Sequence, residues 1–276
     1  MFYSSPAGQT GERRGRDAVA RQAGRAVPRA EKFTHGVRAA LAVLLLLVSA
    51  RAVAEPLLYQ IDAAATHFAV VTHAVGPGHE HLITARDYDA ELVADGSSLS
   101  GSRFMLAVPV AGLEVNAPAQ VERLWPRLRA LGIVEKPFPS LSEEDRQTII
   151  QRVRSESQLD AVGYPTLRAR VLRIVDEAVT WNDHSFPQQA EIALTLRGRT
   201  VERRVPATVR LSGQRVRATA AGAFRFSDFD IKPYGTLFGL IRVADEFHIY
   251  VELSAAVQQG RSDSRQRALA ANSPGL

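Results

Sequence analysis

Residues 190–226 of this 276-residue chain read AEIALTLRGRTVERRVPATVRLSGQRVRATAAGAFRF, and apolar side chains recur along them with a period of two. Leu194 and Leu196 alternate with polar neighbours up to the turn-forming residues 197–200, after which a second alternating segment, another turn and a third segment follow. This pattern is typical of antiparallel strands joined by hairpins. We therefore predict three or four antiparallel strands from here to the last alternating segment, 247–253, with no helix between most of them.

The rest of the chain has two kinds of segment. Four upstream segments have strand character, namely 57–62, 68–75, 82–94 and 99–110. Turn-forming residues at 76–78 and 95–97 separate some of them. The segments 118–131 and 142–159 are instead rich in Arg, Glu, Gln and Leu, which predicts two helices. Strand character resumes at 167–175, so we predict an all-β antiparallel fold with a helical insertion across its surface or mouth.

An export signal is predicted near the N-terminus. The apolar run 39–48 follows basic residues and precedes the small residues 52–54, which is the pattern of a secretory signal peptide. The uncharged run between Arg38 and Arg51 is shorter than the ~20 residues that span a bilayer. We therefore favour cleavage near Ala54 over a membrane anchor, and we expect the mature chain in the periplasm or secreted.

The export signal divides the chain into three parts. Residues 1–54 are the N-terminal extension and signal peptide, 55–257 a single β domain, and 258–276 a polar tail predicted to be disordered. The net charge of +5 resides in the first part, which carries nine Lys or Arg and three Asp or Glu and leaves 25 basic and 26 acidic residues in the rest. A near-neutral mature chain argues against nucleic acid as a partner. The chain has no cysteine, which excludes disulfides and thiolate chemistry.

The motifs of the sequence do not support enzymatic function. There is no G-x-S-x-G nucleophile elbow, no phosphate-binding loop ending in Gly-Lys-Ser/Thr and no G-x-G-x-x-G dinucleotide fingerprint. The acidic run 143–145 stands at a predicted helix start, where the helix dipole already favours carboxylates. We predict that the protein is not an enzyme and uses no cofactor.

Several short sequence motifs occur in this chain in an order that resembles the order in the YceI-like family. They are YQID at 59–62 followed by His67 and His73, YPTL at 164–167, LTLRGRT at 194–200, SDFDI at 227–231 and VADEF at 243–247. Each motif is short, and the resemblance depends on the order of the motifs over roughly 57–255. The chain differs from the usual family motifs at Arg197, Phe226 and Asp230.

The resemblance implies a lipocalin-like antiparallel β-barrel of about eight strands, here with a helical insertion. It also implies non-catalytic binding of an apolar isoprenoid or related lipid, such as a polyprenyl chain or a quinone, in the barrel tunnel, with transport or storage as the purpose. The expected partner is then this apolar ligand, membrane contact is transient at most, and a homodimer stays open as the oligomeric state.

Two features of the sequence indicate which residues contact the ligand. One face of the segment after the second turn carries small side chains, and a run of small inward residues leaves either a close neighbour or empty space. Phenylalanines are also able to line a tunnel, although an ordinary β core contains them too. The predicted ligand-binding residues are Phe68, Phe104, Ala218, Ala220, Phe224, Phe226, Phe229 and Phe238.

A cluster of histidines offers an alternative function, that of a periplasmic metal-binding protein. His67, His73, His79 and His81 lie within fifteen residues. His79 and His81 would share one face of a strand, and a hairpin at 76–78 would bring His73 close, so that three imidazoles reach a zinc or copper ion. The other interpretation is that His67 and His73 are structural barrel residues and that His79 and His81 are exposed loop residues.

Overall fold

The structure, a computed structural model, describes residues 56–95, 98–212, 214–236 and 241–258. The predicted signal peptide, the tail beyond Gln258 and the candidate residue Phe238 lie outside the described residues. Within them, the strands are β1 (Pro56–Ile61), β2 (His67–Val75), β3 (His81–Ala85), β4 (Asp89–Asp95), β5 (Ser98–Pro109), β6 (Leu113–Val115), β7 (Thr166–Val175), β8 (Val179–Trp181), β9 (His184–Phe186), β10 (Gln188–Leu196), β11 (Arg199–Ser212), β12 (Arg215–Arg225), β13 (Gly235–Thr236) and β14 (Ile241–Val257). The helices are α1 (Pro118–Ala130) and α2 (Glu143–Arg154).

Eight of these strands close into an antiparallel barrel. Their order around the wall is β1-β4-β5-β7-β10-β11-β12-β14, and β14 pairs again with β1, where Tyr59 lies opposite Val257. The same edge of β14 also pairs with β2 over Arg242 to Glu252, and β3 and β6 extend the sheet from there. Closure pairs the strand edges that an open sheet would expose. The predicted all-β antiparallel barrel of about eight strands is confirmed.

The predicted hairpin between β10 and β11 is also confirmed, with Leu196 opposite Arg199. Arg197 and Gly198, which lie between the two strands, have φ values of 48° and 73°. Two positive φ values in a two-residue turn match a type I′ turn, whose twist suits antiparallel strands. Asp230 also has a positive φ, 57°, and its carboxylate pairs with Arg199 at 2.6 Å while its carbonyl accepts from Arg197 at 3.5 Å. Arg197 and Asp230, two of the residues that differ from the usual family motifs, therefore contact each other.

Two predicted boundaries are wrong. The segment 82–94, predicted as one strand, is two strands, because β3 ends at Ala85 and pairs with β2 and β6 while β4 begins at Asp89 and pairs with β1 and β5. The second helix ends at Arg154 instead of residue 159, since Ser155 leaves the helical conformation with φ −63° and ψ 160°. The β8–β9 hairpin has no counterpart in the prediction. Changes of strand partner leave no trace in local alternation, which is why the sequence missed them.

The predicted helical insertion is confirmed, and its two helices cover different surfaces. α1 lies on the outer face of the sheet, where Leu124 and Leu128 belong to one buried cluster with Val71 and Leu82. α2 lies at one end of the barrel, where Ile150 joins the interior core cluster. The first helix therefore thickens the wall, and the second covers an opening.

Arg154 fastens the end of α2 to the barrel. Its guanidinium donates to three backbone carbonyls, those of Val110 at 3.2 Å, Ala111 at 2.6 Å and Leu113 at 2.9 Å. Hydrogen bonds from a charged donor are stronger than those between neutral groups. α2 is thereby held to the turn between β5 and β6.

Neighbouring residues occupy the space beside the small side chains of β12. Ala218 and Ala220 are partly buried residues packed against core clusters. A β-carbon on Gly222 would come within 2.5 Å of the Val205 Cγ1 atom on β11. Of the two outcomes expected for a run of small inward residues, this part of the wall shows the close neighbour and not the empty space.

We expect Gly222→Ala to destabilise the protein by about 1–3 kcal/mol, because the added methyl group overpacks the contact with Val205. Val205→Ala removes the closer obstructing atom, Cγ1, and leaves Cβ at 2.9 Å from the added carbon. The double variant should therefore be more stable than the sum of the two single effects predicts. Urea unfolding of the four proteins measures this coupling. Gly112→Ala is the matched control, since its added β-carbon would come no closer than 3.7 Å to a neighbouring atom. Strictly additive effects of Gly222→Ala and Val205→Ala would contradict the contact.

A pair of histidines lies where β2 and β14 change register. The pairing is irregular between Val243 and Phe247, and His73 is the β2 residue opposite this bulge. The His73 Nε2 and His248 Nδ1 atoms are 2.8 Å apart, and His73 Nδ1 is 2.9 Å from Glu80 Oε1. A hydrogen bond between two imidazoles requires that one of the two facing nitrogens carries no proton. The pair is therefore compatible with at most one imidazolium.

Acid is expected to destabilise the protein through its buried histidines. Burial is the main cause that lowers the pKa of His67, His81 and His248 below the ordinary value of 6.5. As the pH falls through that value, the unfolded chain takes up protons that the folded protein excludes, so the free energy of unfolding decreases. Urea unfolding at about pH 7.5 and about pH 5.5 measures the difference.

His248→Phe should lose less stability on acidification than the wild type. The substitution keeps a ring beside His73 and Trp181, which lie 4.9 Å and 5.8 Å from His248 between ring centroids, and it removes one titrating group. His184→Phe in the β8–β9 hairpin is the control and should keep the wild-type difference. If the His248 variant retains the full wild-type difference, buried His248 is not a source of the acid sensitivity.

Candidate ligand cavity

An apolar cavity of about 330 Å³ lies inside the barrel and opens to solvent. Aliphatic side chains from strands β2, β3, β5, β7 and β10 and from α2 build its wall, among them Val70, Ile83, Leu106, Leu167, Leu194 and Val153. The volume lies within the range of about 300–1,000 Å³ that is typical of small-molecule sites. A closed wall with alternating side chains thus leaves room for a ligand in part of its interior.

One end of the cavity has a polar rim. Arg152 of α2 lies over the ring of Tyr234, 5.2 Å from its centroid. The Gln158 Nε2 atom donates to the Lys232 carbonyl at 3.0 Å. Arg152, Gln158 and Tyr234 all line the cavity, and Tyr234 is 37% exposed. This rim is therefore the side of the cavity that meets solvent.

The opposite end is closed by aromatic rings. Phe68 lines the cavity and packs edge-on against Tyr88, with 4.9 Å between the ring centroids. Phe68 also stacks on Phe104 at 6.2 Å. Phe104 belongs to a buried cluster that includes Tyr59 and Leu253 and fills the barrel interior near β1 and β4. The cavity therefore occupies only part of the interior.

Few polar groups interrupt the cavity wall. His81 of β3 lies opposite Thr72 of β2, and both residues line the cavity. Burial, and secondly the neighbouring His79, lower the pKa of His81, which keeps this imidazole neutral near pH 7. Its Nδ1 atom is buried and has no hydrogen-bond partner among the described residues. His81 can thus offer a hydrogen bond to a ligand from inside an apolar surface.

Carboxylates are absent from the described residues that line the cavity. General acid–base chemistry commonly needs a titrating group paired with a second one, as in paired carboxylates or in a nucleophile held by a base. No carboxylate is among the groups that shift the pKa of His81, which are its burial and His79. The arrangement suits the binding of an uncharged or apolar molecule.

The predicted ligand residues are divided between the cavity and the packed core. Phe68 and Phe226 line the cavity. Those in packed clusters are Phe104, Ala218, Ala220, Phe224 and Phe229. Phe224 and Phe229 are almost fully buried and lie 5.9 Å and 6.2 Å from Phe247 between ring centroids. Contact between these residues and a ligand stays a prediction.

Sequence reasoning missed most of the wall, which is aliphatic. The strand alternation identified one face on each strand, and the cavity residues of β5, β7 and β10 do lie on such faces. The alternation does not say which face is inward or how far along the strand the interior is filled. The sequence placed the helical insertion across the surface or mouth of the barrel, and the lining residues of α2 were missed because no local signal decides between these positions.

The four clustered histidines separate in the structure. His79 and His81 line the cavity, whereas His73 pairs with Glu80 and with a histidine of β14. His67 lies next to the Arg123 guanidinium, with 3.4 Å between Nε2 and Nη1. Within the described ranges, no group of three His, Asp or Glu side chains is placed to hold a metal ion. A three-imidazole site made of His73, His79 and His81 would need a different arrangement of these strands.

Of the helices in the described part of the chain, none has the length and apolar character needed to cross a bilayer.

Three solved structures are similar to this chain at low sequence identity. BcnA from Burkholderia cenocepacia is 15% identical, with 71% of this chain and 99% of that chain covered and a TM-score of 0.47. The YCEI protein of Campylobacter jejuni is 13% identical, with coverage of 64% and 85% and a TM-score of 0.40. A polyisoprenoid binding domain from Saccharophagus degradans, implicated in plant cell wall breakdown, is 12% identical, with coverage of 73% and 99% and a TM-score of 0.44. Comparison with curated proteins gave no match.

The family model of the YceI-like domain matches residues 59–255. The match begins in β1 and ends in β14, the two strands that close the barrel. The match therefore covers most of the sequence and includes the barrel strands, both helices and the residues that line the cavity. This chain belongs to the YceI-like family.

Proposed function

We propose that this protein reversibly binds an apolar isoprenoid or related lipid in the barrel cavity, and that it carries or stores this ligand without altering it chemically. The observation that carries the proposal is the aliphatic cavity inside the barrel, whose described wall has no carboxylate. Membership in a family of binding proteins supports the same conclusion. The predicted signal peptide, with cleavage near Ala54, adds the proposal that binding takes place in the periplasm or outside the cell.

The energetics of such a site depend on apolar area. Burial of one methylene group contributes about 0.8 kcal/mol of gross transfer free energy. A ligand that fills the cavity gains this term many times over, and the loss of its own freedom and of its previous apolar surroundings offsets part of it. Affinity then comes from the chain, and the rim around Arg152 and Tyr234 together with His81 inside the wall contacts the polar end.

The decisive variant fills the cavity without adding charge. Ala169 lines the wall on β7, and its cross-strand partners Leu106 and Leu194 line the wall as well. Ala169→Trp should reduce affinity for an apolar ligand by at least tenfold, because the indole occupies the space of the ligand. Arg170→Trp is the matched control, since this exposed neighbour belongs to the same strand and does not line the cavity.

The full chain and both variants should be produced in a bacterium and compared by native mass spectrometry, with solvent extraction and elemental analysis of the same samples. We expect a co-purified lipid on the wild type and on the Arg170 variant, and none on the Ala169 variant. Thermal unfolding confirms that each variant is folded. A lipid retained equally by all three would place the ligand elsewhere, and bound zinc or copper without lipid would favour the histidine alternative.

A further inference from the structure

We propose that the cavity accepts a short apolar chain, of about two or three isoprene units, and that Phe104 sets this limit by supporting Phe68 as the floor. This inference rests on the proposed function, since it describes the ligand of the same cavity. It goes beyond that function because it assigns a length limit and the residues that impose it.

The size of the cavity is the first observation. At about 330 Å³, the cavity lies near the lower end of the range of about 300–1,000 Å³ that is typical of pockets for drug-sized ligands. A long polyprenyl chain or the tail of a long-chain quinone is larger than such a ligand. A ligand of that length would have to leave most of its chain outside the wall.

The filled part of the barrel is the second observation. Below the cavity, inward side chains from strands all around the wall form one buried cluster, with Tyr59, Leu92, Phe104, Val216 and Leu253 each at most 9% exposed. These residues come from β1, β4, β5, β12 and β14, so the cluster crosses the whole barrel. Close packing at this level ends the space open to a ligand.

The third observation is the layer of rings between the cavity and that cluster. Phe68 belongs to the lining of the cavity and also packs against the filled cluster. Phe104 stacks on it with 6.2 Å between centroids and 29° between ring planes, and Tyr88 supports it edge-on at 4.9 Å. Phe104 itself does not line the cavity. Phe68 therefore touches the end of the chain, while Phe104 and Tyr88 hold Phe68 in place.

This geometry dictates how affinity depends on chain length. While each added isoprene unit still enters the cavity, it buries further apolar surface and raises affinity by more than about tenfold. Once the chain reaches the floor, a further unit stays at the rim in water and adds little. Affinity should therefore rise with chain length and then level off.

The test uses the full-length processed protein and three prenyl alcohols: geraniol, farnesol and geranylgeraniol, which have two, three and four isoprene units. Their affinities are measured by displacement of a fluorescent naphthalene probe, below the concentration at which each alcohol forms aggregates. We expect a gain of more than about tenfold from geraniol to farnesol and less than about threefold from farnesol to geranylgeraniol in the wild type. Phe104→Ala removes the support of the floor and should restore a gain of about tenfold or more at the last step.

Two further variants keep the experiment decisive. Phe138→Ala removes the same side chain from the buried cluster under α1, at a residue that does not line the cavity, and should show the wild-type plateau. Phe104→Leu is the milder change if the Ala variant does not fold, and it should shift the plateau in the same direction. A wild-type affinity that keeps rising as steeply beyond farnesol overturns the length limit, and an unchanged plateau in the Phe104 variants overturns the role of this residue. If none of the alcohols binds the wild type, the proposed function itself fails, which is a separate outcome.

Discussion

The pairing of one long strand, β14, with β12, β2 and β1 is the constraint on which the rest of the structure depends. Its 17 residues pair with β12 along one edge and with β2 and then β1 along the other. The contact with β1 closes the wall, and closure directs alternate residues of eight strands into one enclosed interior. An interior space exists because this wall is closed, so the cavity is a consequence of the strand pairing.

The distribution of side-chain volume then decides which part of that interior stays open. Near β1 and β4, bulky residues such as Tyr59 and Phe104 fill the barrel. On β12, small residues do not create a cavity, because Val205 of β11 lies where a β-carbon on Gly222 would be. The cavity lies between aliphatic faces of β2, β3, β5, β7 and β10, under α2. Close packing and open space are thus neighbours within one barrel, and residue size alone does not tell them apart.

The interior presents a mostly aliphatic surface. Charges near the cavity lie at the rim, as with Arg152 over Tyr234, and the buried polar wall residue His81 is kept neutral by its burial. The histidines that lie close together in the sequence have different surroundings in the structure. His73 contacts Glu80 and His248, whereas His79 and His81 line the cavity. A site of this kind derives its affinity from apolar contact and its selectivity from shape and length.

Local patterns determined much of this protein from the sequence alone. The alternation in 190–226, the turn-forming residues 197–200, the helical insertion and the family motifs are all features of neighbouring residues, and each predicted its part of the fold. What only the tertiary structure decided depends on residues far apart in the chain: that β3 and β4 are separate strands, that β12 packs closely, that Phe68 faces a cavity whereas Phe104 supports it from below, and that His73 meets His248. The physical reason is that strand alternation defines two faces, whereas barrel closure and register determine which face is inward and what lies across from it.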